Sequence, residues 1–170
     1  MGKKVLVVDD DPDVRLFSVT VLEEHGYTPL EAANGEEGLK MIKEKKPDLI
    51  ILDVAMPGLR GLEAAHEIRA QYPEVAVLFL SMHKNREYLS MAIATGAKGY
   101  LLKENTGAEL LVAIDLIRNG RTYLSPFLAQ EFSIDLIDIC HSTSPIQADP
   151  LTVREREVLK LIAEGKTSRQ

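Results

Sequence analysis

Pro47-Asp48-Leu49-Ile50-Ile51-Leu52-Asp53, running on into Val54-Ala55-Met56-Pro57-Gly58, decides how the rest of the chain is read. Leu49 to Leu52 is an unbroken apolar run, the pattern of a strand buried on both faces of a parallel sheet. The run ends on one carboxylate, Asp53, and Pro57-Gly58 turns the chain before a helix can begin. In open α/β sheets, ligands bind just outside the carboxyl ends of the strands. An acid at a strand end more often only opens a turn. Asp53 rises above that because other polar residues arrive beside it.

On either side of this stretch, short apolar runs alternate with helical patterns. Residues 5–8 read as the first strand, and Asp11-Pro12 opens a helix, with Asp as N-cap and Pro at the first helical position. Val14, Phe17, Val21 and Leu22 follow at helical spacing until Gly26 stops them. The second strand, about 27–32, contains Pro29, which cannot donate to a ladder and so belongs at a sheet edge. Asn34-Gly35 leads into a helix whose apolar face includes Leu39 and Ile42. Beyond Asp53, helices are expected at about 62–72, 86–95 and 108–118, with strands at 75–80 and 100–102. Five strands alternating with five helices predict an α/β fold with right-handed crossovers and helices on both faces. The edge proline favours the flavodoxin-like strand order 2-1-3-4-5.

The alternation ends at Asn119-Gly120, so residues 1–120 are expected to form one domain. Residues 127–140 carry Leu128, Phe132, Leu136 and Cys140 at four-residue steps, a further helix in a linker spanning 121–150. Within 151–170, Thr152 and Glu155 form a capping box for a new helix that Gly165 closes.

Charge and composition narrow the function classes. The hydrophobic fraction of 45% is ordinary for a globular protein, and the net charge is −6. Residues 1–120 carry 14 basic and 19 acidic side chains, 121–150 carry 1 and 4, and 151–170 carry 5 and 3. The main body is therefore not a nucleic-acid surface, and only the tail leans basic. The lone Cys140 cannot form an internal disulfide, and no apolar stretch is long enough to span a membrane. A cytoplasmic protein without a membrane partner is the expectation.

Every expected strand except the edge one ends in a polar residue: Asp9 and Asp10, Asp53, Ser81 and Lys103. In the order 2-1-3-4-5 the first and third strands are neighbours, which brings three carboxylates to the switch point. Like charges that close must take up a proton or share a cation, and a hard cation such as Mg²⁺ suits carboxylate oxygens. With a lysine and a hydroxyl alongside, the set makes a cradle for phosphoryl transfer, in which an Asp can itself be the nucleophile. Each residue alone has a plainer role as a helix cap, a turn residue or a solvated charge. Asp11 is the best placed to cap, because Pro12 follows it. Their coincidence at four strand ends is what points to a site.

At these residues the chain resembles a response-regulator receiver domain, over roughly residues 3–120. The resemblance rests on Val7-Val8-Asp9-Asp10, on Asp53 with Met56-Pro57-Gly58, on Ser81, and on Gly99-Tyr100-Leu101-Leu102-Lys103. It implies that Asp53 accepts a phosphoryl group from a histidine kinase. It also implies that Asp9, Asp10, Asp53 and the backbone carbonyl of Ala55 hold Mg²⁺. Ser81 and Lys103 would contact the phosphoryl oxygens, and Tyr100 would be the aromatic switch residue. Glu104 follows Lys103 where many receivers have proline, a pattern common in the NarL/FixJ subfamily. Leu151-Thr152-Val153-Arg154-Glu155-Arg156-Glu157-Val158-Leu159 and Glu164-Gly165-Lys166 look like the opening of a LuxR-type helix-turn-helix domain. The groove-reading helix would follow residue 170, so specific DNA binding is expected only of a longer form.

The expected function is a phospho-acceptor switch rather than an enzyme acting on free substrates, with a homodimer forming on phosphorylation. A Mg²⁺-dependent phosphohydrolase is the rival from another class. It would need a second acid near the nucleophile, and Val54, Ala55 and Met56 offer none. A phosphate-independent interaction module is the other rival; such modules usually lack one of the acids or the lysine, all present here.

Overall fold

The computed structural model describes residues 4–58 and 60–132. Within them, strands β1 (Lys4–Val8), β2 (Thr28–Ala32), β3 (Leu49–Asp53), β4 (Ala76–Ser81), β5 (Gly99–Leu102) and β6 (Tyr123–Leu124) form one sheet. Its order is β2-β1-β3-β4-β5-β6, and every pair is parallel. This is the expected doubly wound arrangement with one addition. A sixth, two-residue strand lies in what composition alone marks as linker.

The helices are α1 (Pro12–Glu24), α2 (Gly35–Lys45), α3 (Gly61–Gln71), α4 (Arg86–Ala94), α5 (Thr106–Arg118) and α6 (Pro126–Glu131). Strand alternation sorts their partners. Leu6, Val8, Ile50, Leu52, Phe79 and Tyr100 point to one face and pack with Ile42, Ile68 and Leu89 from α2, α3 and α4. Val5, Val7, Leu49, Ile51 and Leu78 point to the other and meet Leu22 of α1 with Leu110 and Ile114 of α5. β3 lies between both layers and is buried along its whole length, as its apolar run requires. β2, with Pro29, forms one sheet edge.

Local chemistry sets the helix starts. Asp11 caps α1 by accepting from the N–H groups of Asp13 and Val14, with Pro12 in the first turn. Asn34 caps α2 by accepting from the Glu37 N–H, while the Glu37 carboxylate accepts from the Ala33 N–H. Gly61 opens α3 against the end of β3, where a Cβ would stand 1.9 Å from the Asp53 carbonyl oxygen. Only glycine lets α3 start that close to the acid-bearing strand.

Where a helix is expected over 127–140, α6 is a short helix that ends at Glu131, with Phe132 as its C-cap. Leu128 is fully buried in the core that holds Tyr100, with Leu124 and Phe132 packed against it. The two described residues of the apolar stripe, Leu128 and Phe132, thus pack on the domain itself. Residues 133–140 of the expected helix, the 141–150 linker and the 151–170 fragment lie outside the described residues. Among the described residues, no helix is long and apolar enough to cross a membrane.

Candidate functional site

β1, β3 and β5 end at the same edge of the sheet and carry the charged centre there. Asp9 and Asp53 are buried, at 0% and 4% exposure, while Asp10 is exposed to solvent. One carboxylate oxygen from each of Asp9, Asp10 and Asp53 lies within 4.8 Å of the others. Lys103 reaches in from the short 3-10 turn after β5. Its Nζ stands 2.7 Å from Asp9 Oδ2 and 3.2 Å from Asp53 Oδ2. At these distances both contacts are charge-assisted, and the one ammonium bridges the two buried carboxylates. The Thr106 hydroxyl donates to the Lys103 carbonyl at 2.8 Å and pins the turn.

Electrostatics follow from this crowding. Burial, and then the neighbouring Asp9 charge, push the Asp53 carboxyl above its usual value, against the pull of Lys103. Burial would lower the Lys103 ammonium, but its contacts with Asp9 and Asp53 outweigh that and raise it. Lys103 therefore stays charged and neutralises part of a site with excess negative charge. The three carboxylates are chemically suited to a hard divalent cation. Their 4.8 Å span is close to the ~4.2 Å between opposite ligands around Mg²⁺, and exposed Asp10 leaves room for water.

Ser81 ends β4 beside Asp53, whose strand partner in register is Leu80. The Ser81 hydroxyl is buried and accepts from the His83 N–H at 3.0 Å. Ala55 is exposed, and its N–H donates to Asp53 Oδ1 at 3.4 Å. Tyr100 lies inward at 2% exposure, with its hydroxyl donating to the His83 carbonyl at 3.0 Å. Burial pushes that phenol up to about 12. The structure thus brings Asp9, Asp10, Asp53 and Lys103 to one point, with Ser81 at the end of the adjoining strand. Tyr100 is joined to Ser81 through His83.

Several residues that the spacing did not single out bear on the site. Arg15 of α1 donates from Nη1 to the Asp9 carbonyl at 2.6 Å. Ser125 donates its N–H to the Tyr100 carbonyl at 3.0 Å, and its hydroxyl accepts from the Leu102 N–H. Glu109 of α5 accepts from the hydroxyls of Ser125 and Tyr123 and so ties β6 to α5. Lys84, between β4 and α4, pairs with Glu104 at 2.7 Å and lies 5.3 Å from the centre of the Phe127 ring. The signal for Arg15 was its place one turn inside a helix that starts beside the acids, since helical side chains lean toward the N-terminus.

Comparison with known proteins gives a consistent answer. The family model described as response regulator receiver domain matches residues 5–115. Oxygen regulatory protein NreC of Staphylococcus haemolyticus (strain JCSC1435) is 36% identical over 168 residues, covering 95% of this chain and 77% of its own length. The crystal structure of a LuxR-family two-component response regulator from Aurantimonas sp. SI85-9A1 aligns with a TM-score of 0.75 at 33% identity, covering 81% of this chain and 99% of that one. Response regulator protein TrrA of Thermotoga maritima, solved in complex with Mg(2+)-BeF, aligns with a TM-score of 0.61 at 37% identity, covering 66% of this chain and 96% of that one.

Proposed function

We infer that this chain, which belongs to the response regulator receiver family and is the receiver of a LuxR-family two-component regulator, takes a phosphoryl group on Asp53. The donor is the phosphohistidine of a sensor kinase. An Asp53 carboxylate oxygen attacks phosphorus, a P–O bond forms, the P–N bond breaks, and the leaving imidazole takes up a proton. The observation that carries this reading is Lys103 Nζ bridging two buried carboxylates, Asp9 and Asp53, at adjoining strand ends. A lone acid would be neutralised there; here a fixed cation keeps charge in a water-poor site.

Asp9, Asp10, Asp53 and the Ala55 carbonyl would hold Mg²⁺, which supplies charge neutralisation at the transferring oxygens. Lys103 keeps its ammonium among those oxygens throughout, and Ser81 presents a hydroxyl to them. The new negative charge then competes for Ser81 and for the loop of which His83 is part. Because the Tyr100 hydroxyl is held on His83, a shift of that loop changes what holds the ring. Two arrangements of Ser81, His83 and Tyr100 thus give the site a means of altering the surface around β5 and α6. In a longer form carrying a complete helix-turn-helix, that change would control DNA binding, with dimer formation as one route.

Intact-mass measurement after incubation with Mg²⁺ and acetyl phosphate tests this reading. The parent is expected to gain one phosphoryl group and Asp53→Asn none. Equal labelling of both, or none in a parent that binds Mg²⁺, would overturn it.

A further inference from the structure

Arg15 is the charged group that the reading above leaves without a task. Its side chain is only 17% exposed, its Nη1 donates 2.6 Å to the Asp9 carbonyl, and its Nε stands 3.8 Å from Glu31 Oε2 at the end of β2. The oxygen it holds belongs to the peptide that joins Asp9 to Asp10. That peptide decides how two consecutive carboxylates, one buried and one exposed, come to face the same point.

The other groups of Asp9 are also held. Its N–H donates to the Ala32 carbonyl at 3.2 Å, and its Oδ1 accepts from the Asp11 N–H at 2.9 Å. With those two fixed, the carbonyl is the remaining handle on the backbone between Asp9 and Asp10. A guanidinium at this distance makes a short charge-assisted hydrogen bond, stronger than a neutral donor would give. It also brings positive charge near three crowded acids while bonding a carbonyl, so it does not occupy the oxygens a cation would need. Glu31 holds the guanidinium from the far side, and α1 supplies the stem.

We propose that Arg15 is a positioning residue for the divalent cation: it locks the Asp9–Asp10 peptide so that both carboxylates converge with Asp53. This rests on the reading that those three acids bind Mg²⁺. Loss of the lock frees the Asp10 carboxylate to turn into solvent, and the ion loses one of its protein ligands part of the time. The effect falls on cation affinity. The step at Asp53, once the ion is bound, is left nearly intact.

The test is calorimetric Mg²⁺ titration of the metal-free protein, with hydrogen exchange of the amides of residues 10–14 measured in EDTA. Arg15→Met is expected to weaken Mg²⁺ about 10-fold, the usual scale for removing a group that orients a metal ligand. Arg15→Lys should recover part of this, and the 10–14 amides should exchange faster in Arg15→Met before any metal is added. Phosphorylation by acetyl phosphate at saturating Mg²⁺ should stay within about twofold of the parent, since only occupancy changes. Glu31→Gln alters an exposed partner that the fold does not need, and should weaken Mg²⁺ by a smaller factor in the same direction. A parent that binds Mg²⁺ beside Arg15→Met and Glu31→Gln proteins that bind it equally well would overturn the role of Arg15 alone. A parent that binds no Mg²⁺ would overturn this role and the underlying site reading together.

Discussion

The Tyr100 hydroxyl donates to the carbonyl of His83 at 3.0 Å, and the N–H of the same His83 donates to the Ser81 hydroxyl, also at 3.0 Å. One residue thus joins the site's hydroxyl to the buried ring. The link continues along β5, because the Tyr100 carbonyl accepts from Ser125 at the start of α6. Four residues span the distance from the end of β4 to the first residue after the sheet.

Tyr100→Phe keeps the ring in the core but leaves the His83 carbonyl without its donor. The expected loss is about 1 kcal/mol of stability, the net scale of one buried hydrogen bond. Urea denaturation measures this, and amide exchange of residues 82–85 should accelerate in the variant. Unchanged stability and exchange would mean that the hydroxyl does not hold the loop.

Asp53 makes the metal-free protein pH-sensitive. Burial, then repulsion from Asp9, raises its carboxyl above the ordinary 3.8, so the folded chain holds that proton more tightly than the unfolded chain. The stability this gives is complete below the ordinary value and is lost as pH rises through the folded one. Ionised Asp53 therefore costs stability at neutral pH in EDTA. Asp53→Asn should melt above the parent there, and the gap should close as the solution is acidified. Calorimetry showing the variant melting lower at neutral pH would contradict the assignment.

Gly61 tests how tightly α3 is set against the acceptor strand. An added Cβ meets the Asp53 carbonyl oxygen at 1.9 Å, its carbon at 2.8 Å and the Val54 Cα at 2.9 Å, all of them backbone. Gly61→Ala must displace β3 or α3, at a cost of about 1–3 kcal/mol. Phosphorylation at Asp53 should slow with it. Retention of parental stability would show that α3 can slide without consequence.

The sequence carried the order of the sheet well, because each signal was local and strong. Leu49–Leu52 could only be a doubly buried strand, Pro29 could only sit at an edge, and Asp11-Pro12 could only open a helix. β6 was hidden because two residues hold no periodicity, and its place depends on Ser125, Tyr123 and Glu109 meeting across many residues. Gly61 was not singled out, since its closeness to the end of β3 depends on how α3 packs back on that strand. His83 was illegible for a related reason: it bears on the site through its own backbone atoms, which leave no trace in residue type, whereas Arg15 left only the positional signal of its place in α1.

Ser125 holds β6 and α6 to the sheet. Its hydroxyl is buried, accepts from the Leu102 N–H at 3.2 Å and donates to Glu109 at 2.7 Å. Ser125→Ala strands the Leu102 donor and should cost about 1–3 kcal/mol. Exchange of amides in 123–132 should rise more than in β1 or β3. A uniform rise, or none, would show that α6 is not held through this residue.

The most direct test of the central claim is chemical mapping of the acceptor. The protein is labelled with acetyl phosphate and Mg²⁺, reduced with borohydride, which converts an acyl phosphate to the alcohol, and digested for peptide mass analysis. The expected product is homoserine at position 53, absent when EDTA is present or when Asp53 is replaced by Asn. Reduction mapping to Asp9 or Asp10 instead, or labelling indifferent to Mg²⁺, would contradict the account.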